Sequence, residues 1–123
     1  MVLITGGCAS GKRTFARTLG YGPHNMADAQ LDESSAICHV EDLAQEFDGT
    51  VEELAELLCG KELVICREMG CGPVPVRSQD RNQRERVGRL STLLAVQADC
   101  VVRMVCGIPC VLKGSLPDRS VVE

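Results

Sequence analysis

The chain has almost no aromatic residues: one Tyr, two Phe and no Trp among 123 residues. A protein that grips single-stranded nucleic acid stacks bases on several aromatic rings, so that function has no platform here. Positive charge is not in excess either. Thirteen Lys and Arg face 17 Asp and Glu, a formal net charge of −4, and the basic footprint of a duplex-binding protein is missing. The local concentration of Arg between residues 77 and 89 is interrupted by Asp80 and Glu85 and reads as a solvated helix face. No apolar run approaches the roughly 18 residues of a membrane-spanning helix. The opening Met1-Val2-Leu3-Ile4 has neither the basic start nor the length of a secretory signal. The expectation is a cytoplasmic protein with no nucleic-acid partner and no membrane span.

Cysteine is plentiful, with 8 residues, but no C-x-x-C pair occurs and only 2 His are present. Zinc-ribbon and zinc-finger spacings are thereby excluded. In a reducing compartment a disulfide framework is not expected. Most of these thiols read as small buried hydrophobes. Cys8 and Cys71 are the exceptions to watch, because both lie in glycine-rich loops. Hydrophobic residues at 45% and charged residues at 24% describe one ordinary globular domain. Residues 1–113 are expected to form a nucleotide-binding domain and residues 114–123 a tail.

Hydrophobic patterning predicts the elements. Residues 2–5, β-branched and followed by Gly6-Gly7, read as a buried strand. A helix is expected over 11–19, short strands over 25–27 and 36–38, and a helix over 40–47 stopped by Asp48-Gly49. Thr50 and Glu53 form a capping box for a helix running to Leu58, with Leu54, Leu57 and Leu58 expected on one face. A second buried strand is predicted over 63–66, then an irregular loop over 68–75. The longest helix is predicted over 80–98, with Arg86, Val87, Leu90, Leu93, Leu94 and Gln97 along one side. A strand over 100–106 is expected to turn at 107–109 and to pair back over 110–112. This order points to an α/β fold with a mostly parallel sheet covered by helices on both faces. In such sheets ligands sit beyond the carboxyl ends of the strands, where the loops at 6–11 and 70–72 begin.

The strongest local signal is Gly6-Gly7-Cys8-Ala9-Ser10-Gly11-Lys12-Arg13-Thr14. It resembles the phosphate-binding loop G-x-x-x-x-G-K-[ST], and it has the required strand before it and helix after it. Glycines let backbone amides turn inward around an anion. The helix start adds partial positive charge, and Lys12 adds a full one. All nine residues are therefore candidate nucleotide-binding residues, with Lys12 also catalytic. One position departs from the pattern: a hydroxyl that holds Mg²⁺ should follow Lys12, and Arg13 stands there. Thr14 comes one residue late, rotated by about 100° around the helix.

Three segments together resemble the adenosylcobinamide kinase / adenosylcobinamide-phosphate guanylyltransferase family. The first is Val2-Leu3-Ile4-Thr5-Gly6-Gly7 with Ser10-Gly11-Lys12, similar to the family's opening strand and G-G-x-x-S-G-K loop. The second is Glu68-Met69-Gly70-Cys71-Gly72-Pro73-Val74-Pro75 after its strand, similar to N-E-V-G-x-G-I-V-P. The third is Gly88-Arg89 to Ala98-Asp99, then Gly107-Ile108 and Lys113, similar to the family's G-R-x-N-x-x-L-A-x-x-A-D helix and its ending. The resemblance implies a P-loop NTPase fold of the RecA-like type, GTP or ATP as substrate with Mg²⁺, a cobinamide-type corrinoid as partner and a homotrimer. It also implies a shortened member. The part missing here lies before the Glu68 loop and carries the family's guanylylated His in an H-x-x-R-P-x-x-W context. Neither His24 nor His39 has those surroundings. Arg67 replaces an Asn of the family and Pro109 a Gly.

Several residues carry two readings. Glu68 could hold Mg²⁺ or orient a substrate hydroxyl, or simply cap loop amides. His39 is a candidate phosphoryl or guanylyl acceptor, or a polar surface residue. Asp28, Asp32, Glu41 and Asp42 are candidate metal ligands that spacing does not distinguish, and they read as surface charge. Arg84, Arg86 and Arg89 could face a nucleotide or a neighbouring subunit, Arg89 foremost. The leading function is a nucleotide-dependent cobinamide kinase/guanylyltransferase. The alternatives are a non-catalytic nucleotide-binding module and another small-molecule P-loop kinase.

Overall fold

The computed structural model describes residues 1–7, 9–68 and 78–116, the side chains of 78–80 excepted. Among the described residues ten elements follow one another: β1 (Val2–Gly6), α1 (Lys12–Thr18), β2 (Met26–Asp28), β3 (Ala36–Cys38), α2 (Val40–Glu46), α3 (Val51–Leu58), β4 (Leu63–Arg67), α4 (Ser78–Gln97), β5 (Cys100–Val105) and β6 (Ile108–Lys113). The strands form one six-stranded sheet in the order β2-β3-β4-β1-β5-β6. Every pairing is parallel except β5 with β6.

The central strands β1 and β4 are apolar over Val2–Ile4 and Leu63–Cys66 because both of their faces are covered there. Leu3, Ile37, Val64 and Val101 point to one face and pack with Leu43, Leu54, Leu58, Val87, Leu90 and Leu94 from α2, α3 and α4. Val2, Ile4, Leu63, Ile65 and Val102 point to the other and pack with Ala16 and Leu19 of α1 and its end. The α/β architecture expected from the sequence is thus present.

Local chemistry sets the ends of the elements. The Thr50 hydroxyl accepts the Glu53 amide at 3.1 Å, half of the capping box, and starts α3. Lys113 Nζ donates to the Ala95 and Val96 carbonyls at 2.9 Å each. That satisfies acceptors at the end of α4 which no later turn can reach.

Two expectations need correction. Leu57 does not share the face of Leu54 and Leu58. It is 53% exposed, because α3 buries Val51, Leu54, Ala55 and Leu58 and Leu57 lies about 110° from the centre of that stripe at 100° per residue. The turn after β5 is Cys106–Gly107, not 107–109. Both residues take positive φ, 51° and 78°, the geometry of a two-residue hairpin whose twist matches its strands. Pro109 lies inside β6 opposite Met104, tolerated because β6 is an edge strand. The irregular loop expected over 68–75 falls, from Met69 on, outside the described residues, as do Cys8, Cys71 and the tail from Pro117 on.

Candidate functional site

The glycine loop joins β1 to α1, and close packing explains its glycines. Gly6 has φ +149°, and a Cβ there would lie 2.7 Å from both the Met104 carbonyl oxygen and Ser10 Oγ. Gly11, at φ +94°, caps α1 and passes so near the β5–β6 turn that its Cβ would be 3.2 Å from Gly107 Cα. The Gly107 amide donates to the Ser10 carbonyl at 3.0 Å. The hairpin turn therefore buttresses the loop from behind. Lys12 folds across it, its Nζ donating to the Gly7 carbonyl at 2.5 Å and approaching Ser10 Oγ at 3.5 Å. No acidic residue occupies the first turn of α1, so nothing there cancels the positive character of the loop.

A cleft of about 340 Å³ opens beside the loop. Its walls are Ala9, Ser10, Gly11, Lys12, Arg13 and Thr14 from the loop and α1, Cys38 and His39 from the end of β3, Glu41 from α2, and Ile65 and Arg67 from β4. These are the carboxyl ends of parallel strands, where α/β sheets bind ligands. Among its described residues three cations line this cleft, Lys12, Arg13 and Arg67, against the single carboxylate of Glu41.

Glu41 corrects the sequence reading, which treated it as surface charge. It is only 5% exposed, its Oε1 accepts the Arg67 amide at 3.0 Å, and its carbonyl accepts Gln83 Nε2 at 2.9 Å. The usable signal is its place: the second residue of a helix that follows a buried strand directly. Asp32 and Asp42 are exposed. Asp32 accepts the Ser34 amide at 2.7 Å, and that bond holds its carboxyl below the usual range.

His39 and Asp28 meet at the same end of the sheet. Asp28 lies opposite Cys38 in the β2–β3 register, and its Oδ1 is 2.6 Å from His39 Nδ1. His39 holds a left-handed conformation, φ 54°, as it caps α2, a strained position for a side chain with a Cβ. The Cys38 thiol lies 3.6 Å from His39 Nδ1. Burial pushes that thiol up to about 11, Asp28 adds to the effect and Arg13 opposes it. Cys38 is therefore a protonated wall of the cleft and not a nucleophile at neutral pH.

Glu68 and Arg89 are placed differently. The Glu68 amide donates to the Gly6 carbonyl at 2.8 Å, and its carboxylate pairs with Arg103, Nε to Oε1 at 2.9 Å and Nη2 to Oε2 at 3.3 Å. It adjoins the loop but is not among the residues lining the cleft. Arg89 pairs with Glu52 across α3 and α4 and also lies outside the cleft. Arg86 donates to backbone carbonyls at the end of α2, a structural role that sequence spacing did not suggest.

The described residues do not fit Mg²⁺ in the position that the phosphate-loop pattern gives it. A guanidinium replaces the coordinating hydroxyl and cannot ligate a metal. Asp28 is held by His39, Glu68 by Arg103, and Glu41 is turned to the Arg67 amide.

Comparison with known families matches residues 23–112 to the family described as cobinamide kinase / cobinamide phosphate guanyltransferase. The matched region begins after the glycine loop and α1 and takes in every later strand, to within one residue of the end of β6. A comparison with curated proteins finds no match. The match spans most of the chain and takes in five of the six strands of the sheet, whose carboxyl edge holds the cleft: the protein belongs to the cobinamide kinase / cobinamide phosphate guanyltransferase family, nucleotide-using enzymes of cobalamin biosynthesis.

Proposed function

We propose that this chain carries out the kinase half of the family's chemistry, with the nucleotide's phosphates on residues 6–14 and the corrinoid hydroxyl entering the cleft between α1 and the end of β3. The observation that carries this reading is the Lys12 ammonium drawn across the loop toward Gly7 and Ser10, beside a cleft whose wall holds the cations Lys12, Arg13 and Arg67. In the step proposed, the corrinoid hydroxyl oxygen bonds to the γ-phosphorus of GTP or ATP. The bond to the β,γ-bridging oxygen breaks, the nucleoside diphosphate leaves, and the hydroxyl proton is released to water. Lys12, Arg13 and loop amides balance the charge that spreads over the equatorial oxygens, where positioning and electrostatics supply most of the catalysis.

For the guanylyl half, His39 is the candidate acceptor. Asp28 at Nδ1 leaves Nε2 as the nucleophilic nitrogen. Nε2 would bond to the α-phosphorus of GTP and pyrophosphate would leave. Assembly into a homo-oligomer, a trimer by family resemblance, is supported by β6. This sheet edge exposes Ile108 (63%), Val111 (44%) and Leu112 (64%), the kind of edge that proteins usually cover. No helix among the described residues is long and apolar enough to cross a membrane. A cytoplasmic setting agrees with the six described cysteines, all unpaired.

The test is turnover of adenosylcobinamide with GTP or ATP, read by mass spectrometry of the corrinoid. A phosphate adduct that disappears in Lys12→Ala is expected, and nucleotide affinity should fall by about 10- to 100-fold with loss of a charged phosphate contact. Unchanged affinity in Lys12→Ala would overturn the site assignment. Nucleotide binding with no adduct would move the protein to the non-catalytic reading.

A further inference from the structure

We infer that Arg13 replaces the divalent cation at the nucleotide's β- and γ-phosphates, so that this chain binds a nucleoside triphosphate without Mg²⁺. The inference rests on the nucleotide reading of the loop given above. Arg13 follows Lys12 directly, where the phosphate-loop pattern has the metal-holding hydroxyl. It lines the cleft itself and also the smaller hollow of about 250 Å³ beside it. Its side chain is exposed, and no salt bridge or hydrogen bond to another described residue holds it away from a ligand.

The surroundings point the same way. A metal at this place would need carboxylate or hydroxyl oxygens. Of the hydroxyls in the cleft wall, Ser10 is buried with Lys12 Nζ 3.5 Å from its Oγ and Thr14 comes one residue past the metal-holding position, and the nearby carboxylates are already engaged. Asp28 meets His39 at 2.6 Å, Glu68 meets Arg103 at 2.9 Å, and Glu41 is buried against the Arg67 amide. A divalent ion seated next to Arg13 would also face a permanent positive charge at close range. The guanidinium offers what the ion would otherwise supply. Its planar fork can donate two parallel hydrogen bonds to neighbouring phosphate oxygens. Together with Lys12 and Arg67 it places three positive charges around a metal-free triphosphate, with Glu41 the only opposing carboxylate among the cleft's described residues.

Titration calorimetry with GTP and ATP, each in Mg²⁺ and in EDTA, tests this on wild type, Arg13→Ser and Arg13→Lys. Wild-type affinity in EDTA should stay within about threefold of that in Mg²⁺. Arg13→Ser should lose about tenfold or more in EDTA, since a bidentate charged contact is removed, and should recover when Mg²⁺ is added. Arg13→Lys, which keeps the charge and loses the fork, should fall between them. Because Arg13 is exposed, both variants should melt with the wild type, which separates a binding defect from a folding one. Wild-type binding only in Mg²⁺ would overturn the inference and leave the nucleotide site standing. Arg13→Ser binding like wild type in EDTA would overturn it too. No binding of either nucleotide under any condition would overturn the site reading and the inference together.

Discussion

Replacing Arg86 by Met removes a three-point clamp and should cost more than an ordinary surface substitution. Arg86 Nε donates to the Ala44 carbonyl at 2.8 Å. Its Nη2 donates to Phe47 at 3.1 Å and Gly49 at 2.9 Å. These carbonyls lie in the last turn of α2 and the chain after it, where no helical amide remains to satisfy them. Each hydrogen bond from a charged donor contributes about 1.5–3 kcal/mol. A simple sum overestimates the effect, because fixing the Arg side chain costs about 2 kcal/mol of rotamer entropy and water can reach a half-buried site. A net loss of about 2–4 kcal/mol is expected, with Met retaining the packing of the Arg stem. For a domain of this size that is a fall in Tm of about 8–15 °C, readable by urea unfolding and by calorimetry. Arg86→Lys should recover only part of the loss, since an ammonium cannot serve carbonyls in three directions along a fork. A loss under about 1 kcal/mol in Arg86→Met would show that solvent replaces the clamp, and the reasoning would fail.

Two further predictions concern the loop and the buried thiols. Gly6→Ala should destabilise the fold by about 2–4 kcal/mol and weaken nucleotide binding, because φ +149° is strained for Ala and the new methyl would press on the Met104 backbone oxygen at 2.7 Å; an unchanged urea midpoint would contradict the tight approach of β1 to β5. Stability should also fall as pH rises from about 9 toward 12. Burial pushes the Cys66 thiol from 9.0 up to about 12, so the unfolded chain loses this proton first and the folded state is disfavoured through that window, while the full contribution is present below pH 9. Urea midpoints at pH 8 and pH 10.5 check it: Cys66→Ala should flatten the slope, and an equal slope in that variant would show that other groups govern the alkaline loss.

The candidate site draws on distant parts of the chain. Lys12 and Arg13 come with the loop, but the opposite wall is built from Cys38, His39, Glu41, Ile65 and Arg67. The sheet order β3-β4-β1 brings those ends together. The family match begins at residue 23. The second half of the site thus lies in the matched region, and the glycine loop precedes it.

What the sequence determined by itself is the chemistry that acts over a few residues. The β-branched runs at 2–5 and 63–66 required buried strands. Thr50 and Glu53 marked a helix start, and the glycines before Lys12 marked an anion loop, since each depends on backbone conformation and neighbours within one turn. The α/β class followed from the order of those elements. Side-chain partnerships across the fold were not legible. Glu41 looked like any surface carboxylate until α2 laid it on the Arg67 amide. His39 and Asp28, 11 positions apart, became partners only through the parallel register that sets Asp28 opposite Cys38. Glu68 met Arg103 only because β1 separates β4 from β5. Even within one helix, Leu57 lost its place on the buried face because Val51 and Ala55 moved the stripe. Burial and pairing of this kind are set by which strands become neighbours and in what register, and that is decided when the whole chain closes its two cores.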